Sequence, residues 1–217
     1  MWGNLRTKIS RQMVAKEAAR LLYFGVVEEY KEAKEKATAL LGVGSLPSNI
    51  EIAYEVDKLA DEIEGSSRKE LLVKLRKEAL KIMHVLNEFY PRLIGSVWRG
   101  TCHKGSDIDL VVFASEPEAV INTLKENGYT ILRTEWKTKI EDGEVSTFFH
   151  IYFSPPSIKN VEVVVNSPER FGCKEICEIY GDFKKGLTIA QLQAVLKMDP
   201  TKKFVPKKEG MSLINKE

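Results

Sequence analysis

The chain has 217 residues, 43% of them hydrophobic, and its 33 basic and 31 acidic side chains leave a formal charge of +2. That length allows one compact domain or two small ones, and so balanced a charge does not by itself point to nucleic acid. No apolar run approaches a membrane span, and Met1-Trp2-Gly3-Asn4-Leu5-Arg6 lacks the hydrophobic core of a signal peptide. With Cys102, Cys173 and Cys177 read as reduced thiols, the expectation is a cytoplasmic protein without membrane association.

The first ninety residues read as helical. From Ile9 to Leu41 the apolar positions, among them Val14, Ala18, Leu22, Ala33 and Ala37, recur at helical spacing, and Gly42 with Gly44 ends that helix. Ser48 and Glu51 form a capping box behind Pro47 and open a second helix, which Gly65 breaks. Ser67 and Glu70 suggest another capping box, opening a third helix that is striped by Leu72, Leu75, Ala79, Ile82 and Leu86 up to Pro91. Lys8, Arg11, Lys16 and Arg20 are read as the solvated side of the first helix; an RNA phosphate track is the competing reading.

The chemistry concentrates in residues 94–113, Ile-Gly-Ser-Val-Trp-Arg-Gly-Thr-Cys-His-Lys-Gly-Ser-Asp-Ile-Asp-Leu-Val-Val-Phe. Leu110 to Phe113 read as a buried strand. Alternation along a strand puts Asp107 and Asp109 on one face, with Ile108 and Leu110 on the other. Two adjacent carboxylates repel, and a divalent cation removes that repulsion; Mg²⁺ is usually held by one or two carboxylates with substrate phosphates. Gly95 lets the backbone turn tightly, so that neighbouring amides and the Ser96 hydroxyl can meet phosphate oxygens. Arg99 and Lys104 in the same loop are candidates to neutralise a triphosphate, and Ser106 is grouped with them.

The run resembles the signature of the DNA polymerase β-type nucleotidyltransferase superfamily: apolar, Gly, Gly or Ser, roughly ten residues, then Asp, apolar, Asp or Glu, apolar. Ile94, Gly95, Ser96, Asp107, Ile108, Asp109 and Leu110 fill its slots, and the Arg-Gly loop with Ser-Asp-Ile-Asp-Leu is similar to the small prokaryotic branch near the minimal nucleotidyltransferases. The resemblance implies an α+β fold, a polymerase β-like mixed sheet flanked by helices, with the N-terminal helical region added. It also implies a third carboxylate on a neighbouring strand. Glu162, an acid inside the β-branched run Val161 to Val165, matches best, with Glu144 or Asp142 as substitutes. Val145 to Phe153 and the Glu162 run then form a hairpin across Pro155-Pro156.

The remaining elements follow in order. Pro117 to Asn127 reads as a helix ended by Gly128, and Thr130 to Lys139 as a strand; Glu169 to Ile179 and Thr188 to Met198 read as helices. The Lys-rich end from Asp199 to Glu217 reads as a solvated tail, although Lys202, Lys203, Lys207 and Lys208 are of a kind to touch a polyanion. The expected organisation is a helical region over 1–90, a catalytic core over 91–168, and C-terminal helices with the Lys-rich tail over 169–217. Cys173 and Cys177 lack a second ligand pair, so no zinc is assigned. His150 is read as a packed histidine, while His103 and Trp98 are left between a ligand contact and loop anchoring.

What this implies is a metal-dependent transfer of a nucleoside monophosphate from an NTP, ATP among the candidates, to an acceptor hydroxyl, with release of pyrophosphate. Mg²⁺ or Mn²⁺, as two ions, would sit on Asp107, Asp109 and Glu162, with no protein nucleophile. An RNA 3′ end, a protein hydroxyl and a small molecule such as an aminoglycoside are all chemically acceptable acceptors. The alternative is a non-catalytic nucleotide-sensing or antitoxin-like interaction module that keeps the fold.

Overall fold

A computed structural model of the chain describes residues 2–141, 144–156, 158 and 160–206. Asp142, Lys207 and Lys208 lie outside the described residues, as does the rest of the chain beyond Pro206; the Lys8 and Glu144 side chains are likewise not described.

The single helix expected from Ile9 to Leu41 is two, α1 (Trp2–Tyr23) and α2 (Tyr30–Leu41). Between them Gly25 takes φ +67°, a conformation that side chains disfavour, and the chain turns back. Val14 and Ala18 of α1 then pack with Ala33 and Ala37 of α2 and Ile52 of α3 (Asn49–Glu64). The apolar spacing runs on through the link, so periodicity alone could not reveal the break. The capping box that opens α3 is present, with the Ser48 amide donating to Glu51 at 2.7 Å.

The box expected at Ser67 and Glu70 is not formed. Helix α4 (Ser66–Val85) starts two residues earlier than such a box would set it, directly after Gly65, and the Ser67 hydroxyl donates to the Glu64 carbonyl at 2.7 Å. A 3₁₀ turn, Asn87–Phe89, leads from α4 into the sheet. Although α4 precedes the sheet in sequence, its Leu75, Ile82 and Met83, with Leu86 just past its end, belong to the sheet's core rather than to that of α1–α3.

The sheet has five strands: β1 (Arg92–Ile94), β2 (Ile108–Phe113), β3 (Ile131–Glu141), β4 (Glu144–Phe153) and β5 (Val161–Asn166), in the order β1-β2-β5-β4-β3. Only β2 and β5 are parallel neighbours; the other pairs are antiparallel. This is the mixed α+β architecture expected, and the β4–β5 pairing is the expected hairpin. Ile108, Leu110, Val112, Val161, Val163, Val165 and Ile151 point to one face and are buried beneath α4 and α6 (Pro117–Glu126). Thr188 and Gln191 cap α7 (Ile189–Met198), which packs on α4.

The helix expected from Glu169 to Ile179 does not form. After a 3₁₀ turn, Pro168–Arg170, the chain doubles back, with Ile176 bridged to Phe183 and the Lys184 amide donating to the Glu175 carbonyl at 2.8 Å. Its backbone groups are satisfied by this turn-back rather than by a helix.

Two buried arginines, Arg76 and Arg68, fix the short helix α5 (Gly95–Arg99), which follows β1, and the loop after it. Arg76 donates to the carbonyls of Val97 (3.1 Å), Trp98 (2.9 Å), Pro200 (2.8 Å) and Lys202 (2.8 Å). Arg68 reaches Cys102 and Thr101 carbonyls and pairs with Asp57 and Asp61 of α3. Helix-end carbonyls have no partner within the helix, so a guanidinium with several donors is a suitable clamp.

Candidate catalytic face of the sheet

Strand register brings the acids together. Asp109 on β2 pairs with Glu162 on β5 and with Ile94 on β1, and Glu162 pairs with Tyr152 on β4. Residues paired across strands share a face, with neighbouring strands about 4.8 Å apart. One row thus runs Ile94, Asp109, Glu162, Tyr152 across the face opposite the apolar core. Asp107 precedes β2 by one residue and lies on the Asp109 side by alternation.

Gly95 lies directly against this row. Its φ is +68°, and a Cβ there would come within 1.8 Å of Asp109 Oδ2. The close approach for which the sequence selects glycine is therefore made by the Asp109 carboxylate itself.

The electrostatics divide the acids. Burial pushes the Asp109 carboxyl up to about 8, and the charges of Glu162 and Asp107 add to the shift. Burial likewise raises Asp107, with Glu162 adding and a hydrogen bond from Asn160 opposing. Among the described residues no hydrogen bond or salt bridge reaches the Asp109 carboxylate. Burial acts upward on Glu162 too, but hydrogen bonds from Tyr152 and His150 outweigh it and leave that carboxyl below its usual range. In the protein alone, then, Asp109 holds a proton more tightly than Glu162 does, the ordinary outcome for acids crowded on one face.

Every contact that Glu162 makes falls on one oxygen. Oε1 meets His150 Nδ1 at 2.6 Å, the Tyr152 hydroxyl at 2.7 Å and Lys137 Nζ at 3.7 Å. The Tyr152 hydroxyl also lies 2.8 Å from Glu135 Oε1, so its one proton is shared between the two carboxylates, and Lys137 donates to that hydroxyl at 2.8 Å. As they stand, no three His, Cys, Asp or Glu side chains among the described residues are gathered closely enough to hold a metal ion. Asp107 and Asp109 nevertheless have the chemistry of a cation site: two half-buried hard oxygen donors, one of them without a partner among the described residues.

The other residues expected at a nucleotide site separate. Lys104 is exposed, its amide donating to Glu64 and its ammonium 5.6 Å from the Tyr23 ring. The Ser106 hydroxyl accepts from the His103 amide at 3.0 Å, and burial lowers the His103 imidazole. Ser96 is half-buried in the first turn of α5. Arg99 does not join them. Its side chain is 5% exposed, makes two bonds to Asp182 (2.6 and 2.8 Å), donates to the Phe204 carbonyl and stacks by Trp98 and Tyr180. A guanidinium so fully committed ties the C-terminal segment to α5 and is not available to a triphosphate. Trp98 is buried with it and anchors the loop.

His150 and Tyr152 were not singled out as site residues by sequence reasoning. They stand two apart on β4, and only the β4–β5 register shows that both face Glu162. Arg11 bonds Glu51 and Arg20 bonds Glu17, while Lys203 bonds Asp57 and Asp61, so these cations are satisfied within the protein. Cys102, Cys173 and Cys177 are free thiols, and no described helix is long and apolar enough to cross a membrane.

Residues 91–170 match the family model described as a nucleotidyltransferase domain, which bears out the resemblance over the span from β1 to the turn after β5. Solved structures similar to this chain include a cytoplasmic RNA terminal U-transferase, at 20% identity over 54% of this chain and 34% of that one, TM-score 0.31. Cid1 in complex with a UTP analog is similar at 17% identity over 54% and 37%, TM-score 0.33. The GLD-2/RNP-8 complex is similar at 13% over 57% and 44%, TM-score 0.32. The matched part thus spans less than half of each of those proteins. No curated protein sequence matches the chain.

Proposed function

We propose that the chain is a metal-dependent nucleotidyltransferase that moves a nucleoside monophosphate from an NTP to an acceptor hydroxyl and releases pyrophosphate. The observation that carries this reading is the row of acids against Gly95. Asp109, half-buried and without a partner among the described residues, is register-paired with Glu162 and flanked by Asp107. Such a row is costly to a protein on its own and is offset by a cation.

Asp107 and Asp109 would hold Mg²⁺ or Mn²⁺, with Glu162 offering Oε2 because Oε1 is already engaged. Two such ions supply charge stabilisation to the attacking and leaving oxygens of an in-line displacement. The protein's own residues do the rest. His150 and Tyr152 hold Glu162 to one orientation on the sheet, as supporting partners of metal-ligating groups commonly do. Lys104, Ser106, Ser96 and the Gly95 backbone flank the row on the side where β2 begins and would receive the triphosphate. Arg76, which holds the Val97 and Trp98 carbonyls, would keep α5, and with it Gly95, against Asp109. No side chain is assigned as a nucleophile.

Incubating the protein with each labelled NTP, Mg²⁺ and total cellular RNA or protein tests the reading. The expected result is a labelled acceptor and free pyrophosphate, both abolished in Asp109→Asn. Metal-dependent NTP binding without turnover on any acceptor class would favour the nucleotide-sensing alternative. Absence of metal-dependent binding would overturn the proposal.

A further inference from the structure

The sheet's open face continues past the acids into a cleft of about 660 Å³, within the usual size of a ligand site. Its floor is Val111 and Phe113 of β2, Val164 and Asn166 of β5, and Phe148 of β4; its far wall is the turned-back segment 170–186. These floor residues follow Asp109 and Glu162 on the same face, toward the other end of β2 from Lys104 and Ser106. Asn166 stands four residues beyond Glu162, about 13 Å along the strand.

Two features of the cleft point to a ligand. Asn166 is only 8% exposed, yet its side-chain oxygen has no hydrogen-bond partner, and neither has Nε of Arg170. A buried acceptor and a buried donor left open in the lining of one cleft are expensive unless something fills them. Further, Lys and Arg outnumber Glu seven to one in the lining. Some of these cations are paired within the protein, but Arg92, Lys174 and Lys185 have no carboxylate partner among the described residues.

We infer that this cleft holds the 3′-terminal nucleotides of a single-stranded oligonucleotide acceptor; the inference rests on the nucleotidyltransferase reading. The incoming NTP would place its phosphates on the β2-entry side, and the nucleoside it leaves for the cleft carries no charge for these cations to neutralise. A strand of nucleotides brings one phosphate per residue, and its bases can lie on Phe113 and Phe148 as they do on other single-strand platforms. A base edge offers an amino donor for Asn166 and a carbonyl acceptor for Arg170. A cationic small molecule such as an aminoglycoside would be repelled.

The test is fluorescence anisotropy of end-labelled ten-nucleotide single strands, RNA and DNA in separate arms, with a blunt duplex for comparison. The full chain is used without NTP or metal. The expected result is single-strand binding that weakens as salt rises, as phosphate contacts require. The triple variant Arg92→Glu, Lys174→Glu, Lys185→Glu should weaken it at least tenfold, and Asn166→Leu should weaken it several-fold, with MgATP affinity by calorimetry unchanged in both. Circular dichroism establishes that each variant is folded, and Asn166→Asp serves as a second probe if the Leu variant is not. Absence of single-strand binding in both arms, equal or tighter binding of the duplex, or loss of MgATP rather than oligonucleotide affinity in the variants would overturn the inference. Oligonucleotide binding with no transfer on any NTP would instead sink the enzyme reading while leaving the cleft assignment standing.

Discussion

The two faces of the sheet are built from the same strands and obey different rules. On one face Ile108, Leu110 and Val112 of β2 and Val161, Val163 and Val165 of β5 sit beneath α4 and α6, essentially closed to solvent. Each is compensated by the area it buries, roughly 1.5–3 kcal/mol for a large aliphatic side chain. On the other face Asp109, Glu162 and Asn166 occupy the alternate positions, and the protein leaves part of their cost unmet. The fold's stability is made on the first face, and the second holds the groups that a ligand would complete.

The largest test exchanges the two rules on β2. Asp109→Asn keeps shape and removes the charge, so turnover should fall about a thousandfold, ~4 kcal/mol of barrier, with the melting temperature unchanged or raised. Leu110→Ala, one residue away, should cost roughly 2–5 kcal/mol of stability and leave the per-molecule turnover of the folded fraction intact. Denaturant unfolding and steady-state kinetics read the two quantities separately. An Asp109→Asn protein that keeps more than about a tenth of wild-type turnover, ~1.4 kcal/mol, would break the assignment.

Arg99 is the next largest. It lies in the motif loop, yet it behaves as a packing residue. Truncating one partner of a fully buried ion pair costs roughly 3–5 kcal/mol, and Asp182 is 39% exposed, so about 2–3 kcal/mol is expected for Arg99→Ala. MgATP affinity of the folded variant, measured by calorimetry, should stay within twofold. A selective loss of nucleotide affinity would return Arg99 to the open face.

A third test uses pH. The Asp109 carboxyl rises from an ordinary 3.8 to about 8 in the fold. Below pH 4 both the folded and unfolded chains hold that proton. Between about 4 and 8 only the folded chain keeps it, so this group's contribution to stability is lost as pH rises toward 8. Glu162 works in the opposite sense, but only in acid, where protonation ends the benefit of its lowered carboxyl. Mg²⁺ should therefore raise the melting temperature more at pH 8 than at pH 5, and Asp109→Asn should flatten that difference. Equal shifts at both pH values would separate the cation from this carboxylate.

The asymmetry of the faces also explains what could be read from the sequence. Asp107, Asp109 and Glu162 were visible because alternation is local and an acid in a β-branched run stands out. Four of the five strands were visible as short β-branched or aromatic runs, and α6 and α7 as apolar segments bounded by turn residues, whereas the three-residue β1 gave no such signal. Arg99's true partner, Asp182, is 83 residues away, and no local pattern announces it. Nor does any local pattern place His150 and Tyr152 over Glu162, since that depends on the β4–β5 register. The break after Tyr23 was hidden because the two helices share one apolar rhythm across it. The segment after Pro168 misled because helical spacing says nothing about a wall that instead turns back along the cleft.

The smallest effect expected lies on β4 and β5, where the faces can be compared by single groups of atoms. Tyr152→Phe removes one hydroxyl from Glu162 Oε1 and leaves His150 in place at 2.6 Å. One hydrogen bond to a partly exposed carboxylate is worth about 1 kcal/mol, so turnover should drop about fivefold with KM for the NTP little changed. Val163→Ala, next to Glu162 on β5 but pointing into the core, removes two methyl groups and should cost roughly 2 kcal/mol of stability with turnover unaltered. If Tyr152 acts by orienting Glu162, its Phe variant should also lose activity more steeply than wild type when Mg²⁺ is lowered, because a freer carboxylate holds a cation less well. A purely structural tyrosine would instead lower the melting temperature and leave the Mg²⁺ dependence unmoved. That outcome would assign Tyr152 to the packing of the sheet and leave His150 as the one residue orienting Glu162.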